Sequence, residues 1–141
     1  MDENRFYDKA HWQAFTECIA RMQCSDLYHT CLAYLLTLDT DCREHLDRLF
    51  DFENDVIKIS GLVEAWQTST SQKTTRLAFN LWNGCSDDGE EYTDKDGYKV
   101  PLPSDYYSPN KIFCCVYAPY YWEAIKLRYP EYTRMMNDEE E

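Results

Sequence analysis

The chain has 141 residues, of which 44% are hydrophobic and 16% aromatic, with only 4 glycines and 5 prolines. This length and composition predict one globular domain over residues 1–141, and they exclude a disordered, collagen-like or low-complexity chain. The 26 acidic residues outnumber the 14 basic ones and give a net charge of −12. Because such a chain repels phosphate backbones, we expect it not to bind nucleic acid directly.

The compartment of the protein is predicted from its N-terminus, its longest apolar stretch and its cysteines. Residues 1–6 lack the basic segment and apolar run of a signal peptide, and the apolar stretch at 31–36 is too short to span a bilayer. We therefore expect a cytoplasmic protein without membrane contact. The odd count of 7 cysteines, without an export signal, predicts reduced thiols rather than disulfides.

Two helices are predicted in the first forty residues. Apolar side chains recur at steps of three and four residues, which predicts a helix over about residues 8–23. The side chains of this stripe are Trp12, Phe15, Ile19 and Met22. Ser25 or Asp26 can cap a second helix, whose apolar positions from 28 to 38 follow the same spacing.

The middle of the chain predicts a third short helix, a strand and a longer helix. Asp41 and Glu44 form a capping-box-like pair at the start of the third helix. The β-branched residues at 56–59 are compatible with a short strand, in a small strand pair, or with an irregular crossing segment. A helix over about 70–83 follows from its apolar stripe and from Gly84, which stands where a C′ glycine belongs.

Residues 85–107 are predicted to form a long acidic loop. Within them, positions 86–96 hold six acidic residues against the single Lys95, a local net charge of −5. Because like charges packed this closely resist a compact conformation, we expect the loop to be mobile and solvated. A second acidic segment, 137–141, is predicted to be a solvated tail.

The C-terminal region predicts two more helices and completes the fold. A proline follows Ser108 and again Ala118, which is typical of a helix start, and the last helix is expected to bury Trp122 and to stop at Pro130. The predicted fold class is therefore mainly α, with five to six short helices in one compact domain. The expected core residues are Trp12, Phe15, Leu32, Leu35, Leu49, Leu77, Leu81, Trp122 and Ile125.

The segment 94–97 resembles the middle of a calcium-binding loop. Such a loop needs carboxylate ligands at its positions 1 and 12. In the register that Gly97 sets, these positions are Tyr92 and Pro103. We therefore predict no calcium site in the acidic loop.

Zinc binding and covalent catalysis lack a complete pattern as well. The pairs Cys42/His45 and His29/Cys31 offer ligands that zinc prefers, but both fall within predicted helices rather than on turns. The 7 cysteines and 3 histidines can supply a Cys–His pair, yet no glycine-flanked nucleophile or phosphate-binding glycine motif marks one. We predict no metal, no cofactor and no catalytic residue.

The acidic loop and the aromatic residues near the C-terminus predict a protein interface. The 12 tyrosines and 4 tryptophans exceed what a small helical core needs, and tyrosine suits partly exposed interfaces because its body is apolar and its tip polar. The same rings can also close the core over the final helix, and the two interpretations are compatible. The predicted partner-binding residues are Asp87, Asp88, Glu90, Glu91, Tyr92, Asp94, Asp96 and Tyr120.

Four stretches are similar to a known family. They are FDF at 50–52, AWQTS at 65–69, LAFNLWNG at 77–84 and YAPYYWEAIKLR at 117–128. They resemble a family of small proteins of unknown function that phages and conjugative elements of Firmicutes carry, and the resemblance covers roughly residues 50–130. No activity or catalytic residue is established for that family, so the resemblance implies none. It implies a bacterial mobile-element setting, in which a small acidic protein is expected to bind host or defence proteins.

The predicted function is that of a small acidic, non-enzymatic binding protein. Its carboxylates would meet a basic protein surface, as in antagonism of a nucleic-acid-binding or defence protein. The alternative is a small hydrolase or metal-dependent enzyme that uses the acidic loop, and a third possibility is a self-associating structural protein. A net charge of −12 also suits solubility alone, so charge by itself does not decide among these functions.

Overall fold

The structure, a computed structural model, describes residues 1–134, so the predicted acidic tail at 137–141 lies outside the described residues. Within this range the chain forms eight α-helices, three short 3-10 helices and two antiparallel strand pairs. The α-helices are α1 (Lys9–Arg21), α2 (Leu27–Leu38), α3 (Thr40–Arg43), α4 (Leu46–Leu49), α5 (Ser69–Asn83), α6 (Pro109–Ile112), α7 (Ala118–Arg128) and α8 (Pro130–Thr133). The strands are β1 (Phe50–Asp51), β2 (Val56–Ile57), β3 (Asp87–Thr93) and β4 (Lys99–Pro103), and the 3-10 helices are Glu3–Arg5, Ile59–Val63 and Asp105–Tyr107. The helix-rich fold class is confirmed, with more strand than the sequence predicts.

Aspartate side chains begin the first two long helices, and a glycine ends the third. Asp8 accepts a hydrogen bond from the backbone N–H of His11 at 2.8 Å, and Asp26 accepts one from that of His29 at 2.9 Å. These bonds satisfy amides that the first turn of a helix leaves without a partner. Gly84 ends α5 in the left-handed conformation, with a φ of 79° that favours glycine. The three predicted long helices are therefore confirmed, with shifts of one or two residues at their ends.

Helix α2 lies at the centre of the core, since every residue from 31 to 38 is buried. Helices α1, α5 and α7 all pack against it. A helix that is apolar all round has to be covered on every side, so the other elements are arranged around α2. The predicted core residues that are buried are Leu32, Leu35, Leu49, Leu77 and Leu81. Those that are partly buried at the edge of the core are Trp12, Phe15 and Ile125.

The expectation that α7 buries Trp122 is wrong. Trp122 is 49% exposed, whereas Tyr121 and Ala124 are fully buried. Tyr121 can occupy the core because its hydroxyl has a partner there, the Oγ1 of Thr74 at 2.6 Å. Tyrosine and tryptophan tolerate both buried and exposed positions, so their spacing does not determine which side of a surface helix faces the core.

The region after α2 forms two short helices rather than the single one that Asp41 predicts. The carboxylate of Asp39 caps α3, because it accepts hydrogen bonds from the amides of Asp41 and Cys42 at 2.8 and 3.3 Å. Glu44 and His45 then separate α3 from α4. The N-cap of α3 is therefore Asp39, two residues before the predicted cap Asp41, and Asp39 is itself buried.

The predicted strand near 56–59 is confirmed for Val56–Ile57, which pairs with β1. Asp51 stabilises the turn between the two strands, because its carboxylate accepts hydrogen bonds from two backbone amides of the turn, each at 3.0 Å. Asp55 ends this turn with a φ of 61°, the only positive φ at a non-glycine residue in the described range. That conformation costs about 1 kcal/mol, and the contacts of the Asp55 side chain described below offset this cost.

The expectation of a long loop over 85–107 is wrong, because this segment contains an antiparallel hairpin of β3 and β4. The carboxylate of Asp94 closes its turn by accepting hydrogen bonds from the amides of Asp96 and Tyr98, each at 2.9 Å. Gly97 takes the positive φ of 86° that the turn requires. An Asp-Gly pair between two strand-like segments favours a hairpin, so the sequence contained this signal.

The described residues also bear on membranes and cysteines. No helix within residues 1–134 is long and apolar enough to cross a membrane. All seven cysteines lie in this range, and each is a free thiol. Cys24 and Cys114 are exposed and Cys115 is partly buried, whereas the others are buried. Exposed thiols are the ones that solvent, metals and oxidants can reach.

Candidate functional site

The β3–β4 hairpin and its turn carry all the predicted partner-binding residues except Tyr120, and a buried ion pair attaches the hairpin to the helical body. Arg76 of α5 is only 8% exposed. Its guanidinium donates hydrogen bonds to both carboxylate oxygens of Asp88, each at 3.1 Å, and lies 4.7 Å from the ring centroid of Tyr106. Because a bidentate pair fixes both position and orientation, Asp88 holds the hairpin in place.

Two further carboxylates, those of Asp87 and Asp94, stabilise the hairpin by accepting hydrogen bonds from its backbone amides. Asp87 accepts a hydrogen bond from the amide of Gly89 at 2.9 Å, and its backbone carbonyl accepts one from the hydroxyl of Tyr107 at 2.9 Å. Asp94 closes the turn, as described above. With Asp88, which binds Arg76 of α5, three of the six clustered acidic residues are engaged in the fold, so the expectation that all six are solvated is wrong.

The remaining carboxylates and two tyrosines form what we call the hairpin surface, which consists of Glu90, Glu91, Tyr92, Asp96 and Tyr98. All five residues are exposed, and Tyr92 and Tyr98 are 47% and 70% exposed. Within residues 1–134 the three carboxylates have no ion-pair or hydrogen-bond partner. The surface therefore combines free negative charge with aromatic area, and protein interfaces use both.

Tyr120 lies on α7 and belongs to a different cluster. Its ring packs edge-on against that of Tyr7, with the centroids 5.2 Å apart, and Tyr7 contacts Tyr117 at 5.4 Å. Tyr120 and Tyr117 also pack against the core. These rings close the core over the final helix, which is the second interpretation that the sequence leaves open for them.

A second cluster, which we call the His29 cluster (Cys24, Asp26, His29 and Asp55), lies where α1 meets α2. His29, in the first turn of α2, is only 4% exposed. Its Nδ1 is 2.7 Å from the Oδ1 of Asp26 and 3.1 Å from the Sγ of Cys24. Its Nε2 is 2.7 Å from the Oδ1 of Asp55, and Trp82 packs edge-on against the ring at 4.8 Å. The imidazole is therefore held in one orientation by groups from three parts of the chain.

The two carboxylates determine the charge of this imidazole. Burial by itself lowers the pKa of His29, but hydrogen bonds to Asp26 and Asp55 and the charges of both carboxylates outweigh burial and raise the pKa. The pKa of Asp26 is lowered, chiefly by the hydrogen bond that it accepts from the backbone amide of His29. A protonated His29 donates one ring N–H to each carboxylate.

The zinc-ligand pairs named from the sequence do not come together. The thiol of Cys31 donates to the backbone carbonyl of Ala124 at 3.4 Å, and burial raises the pKa of Cys31 to about 12. Cys42 is buried beside α5, and burial raises the pKa of its thiol as well. The ring of His45 stacks on Trp66 with the centroids 4.1 Å apart. These residues pack the core and its edge.

Comparison with known proteins gives a family but no activity. A family described as being of unknown function, DUF6075, matches residues 1–141. The chain belongs to DUF6075. No curated protein and no solved structure matches it. The match includes the N-terminal helices and so extends beyond the stretch 50–130 that the resemblance covers.

The sequence of this DUF6075 chain contained a partial signal for the His29 cluster. Cys24, Asp26 and His29 follow one another as Cys-x-Asp-x-x-His across a helix start, and an N-cap side chain lies beside the amide of the third helical residue. From the sequence, Asp26 is predicted only as a helix cap. Asp55 carries no such signal, because a turn far along the chain brings it to the ring.

Proposed function

We propose that this protein is a non-enzymatic binding protein that presents its hairpin surface to a basic protein. The observation that carries the proposal is that Glu90, Glu91 and Asp96 are exposed and unpaired within residues 1–134, while the neighbouring carboxylates are engaged in the fold. Tyr92 and Tyr98 are exposed on the same hairpin and add area that a partner can bury.

Electrostatics and order together support this function. A net charge of −12 attracts a basic partner over a distance, and exposed charges at the rim of an interface mainly raise the association rate. Because the hairpin is already folded, a partner does not have to order it, which lowers the entropy cost of binding. The hairpin surface therefore suits fast, salt-sensitive association.

The setting that we propose is the cytoplasm of a bacterium that carries a mobile element. The similarity to small proteins of phages and conjugative elements of Firmicutes supports that origin, and seven free thiols support a reducing compartment. In this setting we expect the partner to be a nucleic-acid-binding or defence protein, because proteins that bind phosphate backbones carry basic surfaces.

The test compares two variants that change the net charge by the same amount. The hairpin variant carries Glu90→Gln, Glu91→Gln and Asp96→Ser. The control variant carries glutamine at three exposed glutamates outside the hairpin. Those glutamates are Glu17, Glu44 and Glu53. Each protein serves as bait in a lysate of the host bacterium, and association with each captured basic protein is then measured at low and high salt.

We expect the hairpin variant to associate with the purified partner about ten times more slowly than wild type at low salt and to show a flatter salt dependence. The control variant should change the rate by less than about twofold. Both variants should unfold within about 0.5 kcal/mol of wild type, because exposed side chains contribute little to stability. An equal fall in the association rate of both variants would show that only net charge matters. An unchanged association rate in both variants would refute the proposal.

A further inference from the structure

The His29 cluster brings three different metal-ligand types to one point of the surface. One ligand atom each from Cys24, Asp26 and His29 lies within 4.8 Å of the other two. The thiol and the carboxylate come from exposed residues, whereas the imidazole is buried. A cation can therefore approach from solvent and meet a ring that is already oriented.

The distances in the cluster are close to those of a coordination sphere. Zinc binds sulfur at about 2.3 Å, and imidazole nitrogen and carboxylate oxygen at about 2.0–2.2 Å, so the ligands of a tetrahedral site are about 3.4–3.6 Å apart. The Nδ1 of His29 is 2.7 Å from Asp26 and 3.1 Å from Cys24. The ligand atoms would separate by about half an ångström as an ion enters, which the exposed loop before α2 allows.

We propose that Cys24, Asp26 and the Nδ1 of His29 bind a divalent transition-metal ion of the zinc class, although the sequence pattern predicts no metal site. Asp55 keeps its place at 2.7 Å from the other ring nitrogen, where it accepts the Nε2–H and fixes the ring. A carboxylate behind a ligating histidine is the usual outer partner in zinc sites, since it sets the tautomer and makes the ligand more basic. Binding displaces the thiol proton of Cys24 and the Nδ1 proton of His29 to solvent.

The electrostatic balance favours a cation at this point. A thiolate, with the carboxylates of Asp26 and Asp55, places three negative charges around the ion. The N-terminus of α2 opposes a cation with the equivalent of only about half a positive charge. The three anionic groups therefore outweigh the helix dipole.

The ligand types select the kind of metal. Thiolate and imidazole suit zinc and cobalt, whereas calcium and magnesium require oxygen ligands. Three protein ligands leave a fourth tetrahedral position for water or a small anionic ligand, and two of the three ligating residues, Cys24 and Asp26, are exposed. This inference is independent of the proposed function, because the His29 cluster and the hairpin surface share no residue.

The experiment titrates the reduced full-length protein with Co²⁺ and then with Zn²⁺. Thiolate coordination gives Co²⁺ a sulfur-to-metal charge-transfer absorption, and Zn²⁺ should displace the Co²⁺ at one equivalent. Cys24→Ser should weaken Zn²⁺ binding at least a hundredfold and remove the charge-transfer band. Cys114→Ser alters another exposed thiol and should leave both readouts unchanged. Asp55→Ala should keep the band and weaken binding about 10–100-fold.

Because Cys24 is exposed, Cys24→Ser tests metal binding without altering the packing of the core. The proposal is overturned if no band appears with Co²⁺, if Zn²⁺ binds at other than one equivalent, or if Cys24→Ser weakens binding less than tenfold. A loss that appears equally in Cys114→Ser would also overturn it, since the metal would then be held by whichever thiols are exposed.

Discussion

Helix α2 and the β3–β4 hairpin differ in what attaches them to the rest of the molecule. Every residue of α2 from 31 to 38 is buried, and three helices pack around it. Most residues of the hairpin are exposed, and polar contacts attach its base to the body. The contacts at the base include the Arg76–Asp88 ion pair and the hydrogen bond from Tyr107 to the carbonyl of Asp87.

This difference separates stability from recognition. The free energy gained by apolar burial is proportional to the buried area and does not depend on direction. We therefore expect α2 to unfold only when the whole core does. A few directional contacts can break without the core, so the hairpin is expected to open locally. The molecule can therefore vary the side chains of its hairpin surface at little cost to its fold, and each prediction below tests that separation.

The largest expected effect comes from removing apolar volume in α2. Leu35 is 0% exposed, and Leu35→Ala should lower the free energy of unfolding by about 4 kcal/mol because it removes buried surface and leaves a cavity. The matched change in the hairpin is Leu102→Ala at a residue that is 43% exposed. It should cost less than about 0.5 kcal/mol. Urea denaturation measures both, and equal costs would contradict the separation.

The second effect is a loss of stability in acid through a histidine that packs on α2. His11 is fully buried, its Nε2–H donates to the carbonyl of Tyr34 at 2.8 Å, and its Nδ1 accepts from the amide of Tyr7 at 3.1 Å. Burial lowers the pKa of His11 from 6.5 to about 4. The folded protein therefore keeps His11 neutral at pH values where the unfolded chain has already bound a proton.

The sign of this effect follows from proton linkage. The contribution of His11 is complete above pH 6.5 and is lost as the pH falls towards about 4, which amounts to about 3 kcal/mol. Denaturant titrations across this pH range should show the loss. His11→Gln keeps a side-chain donor but does not titrate, so its stability should fall less over the same range. Parallel curves for the two proteins would show that His11 is not the group responsible.

The smallest effect concerns the attachment of the hairpin. Asp88→Asn leaves the buried guanidinium of Arg76 without its charged partner, and we expect the free energy of opening the hairpin to fall by about 2 kcal/mol. Amide hydrogen exchange measures this, because protection should fall in β3 and β4 and stay the same in α2. Asp96→Ser, which changes an exposed carboxylate of the same hairpin, should leave exchange unchanged. If protection from exchange fell in α2 as well, the hairpin would open only together with the core.

Local signals in the sequence predicted the long helices well. Asp26 lies before α2 and Gly84 after α5, and each acts on backbone groups within a few residues. The Asp96-Gly97 signal for a hairpin turn is as local as these helix signals. The density of charge around it, however, favoured the prediction of a loop. Charge resists compact packing only where the carboxylates have no partners, and Asp88 and Asp94 have them.

The rest depended on contacts between distant parts of the chain. The buried side of α7 is set by Thr74, which accommodates the hydroxyl of Tyr121. The His29 cluster depends on Asp55, a residue in a left-handed turn conformation on another element. Spacing and composition do not mark Thr74 as the partner of Tyr121, or Asp55 as the partner of His29. The two members of each pair lie far apart in the chain, and sequence patterns report only on nearby residues.

The two prolines of β4 have a consequence for how the hairpin can be recognised. The amide of Ser104 donates to the carbonyl of Ser86, and the carbonyl of Tyr98 accepts from the amide of Asp94, so even-numbered residues of β4 direct their backbone groups towards β3. Pro101 and Pro103 therefore lie at the outer edge, where a docking strand would need N–H donors that proline lacks. Such an edge resists strand addition and the aggregation that follows from it. At the β4 edge, a partner therefore has to recognise the hairpin through its side chains and not by adding a strand.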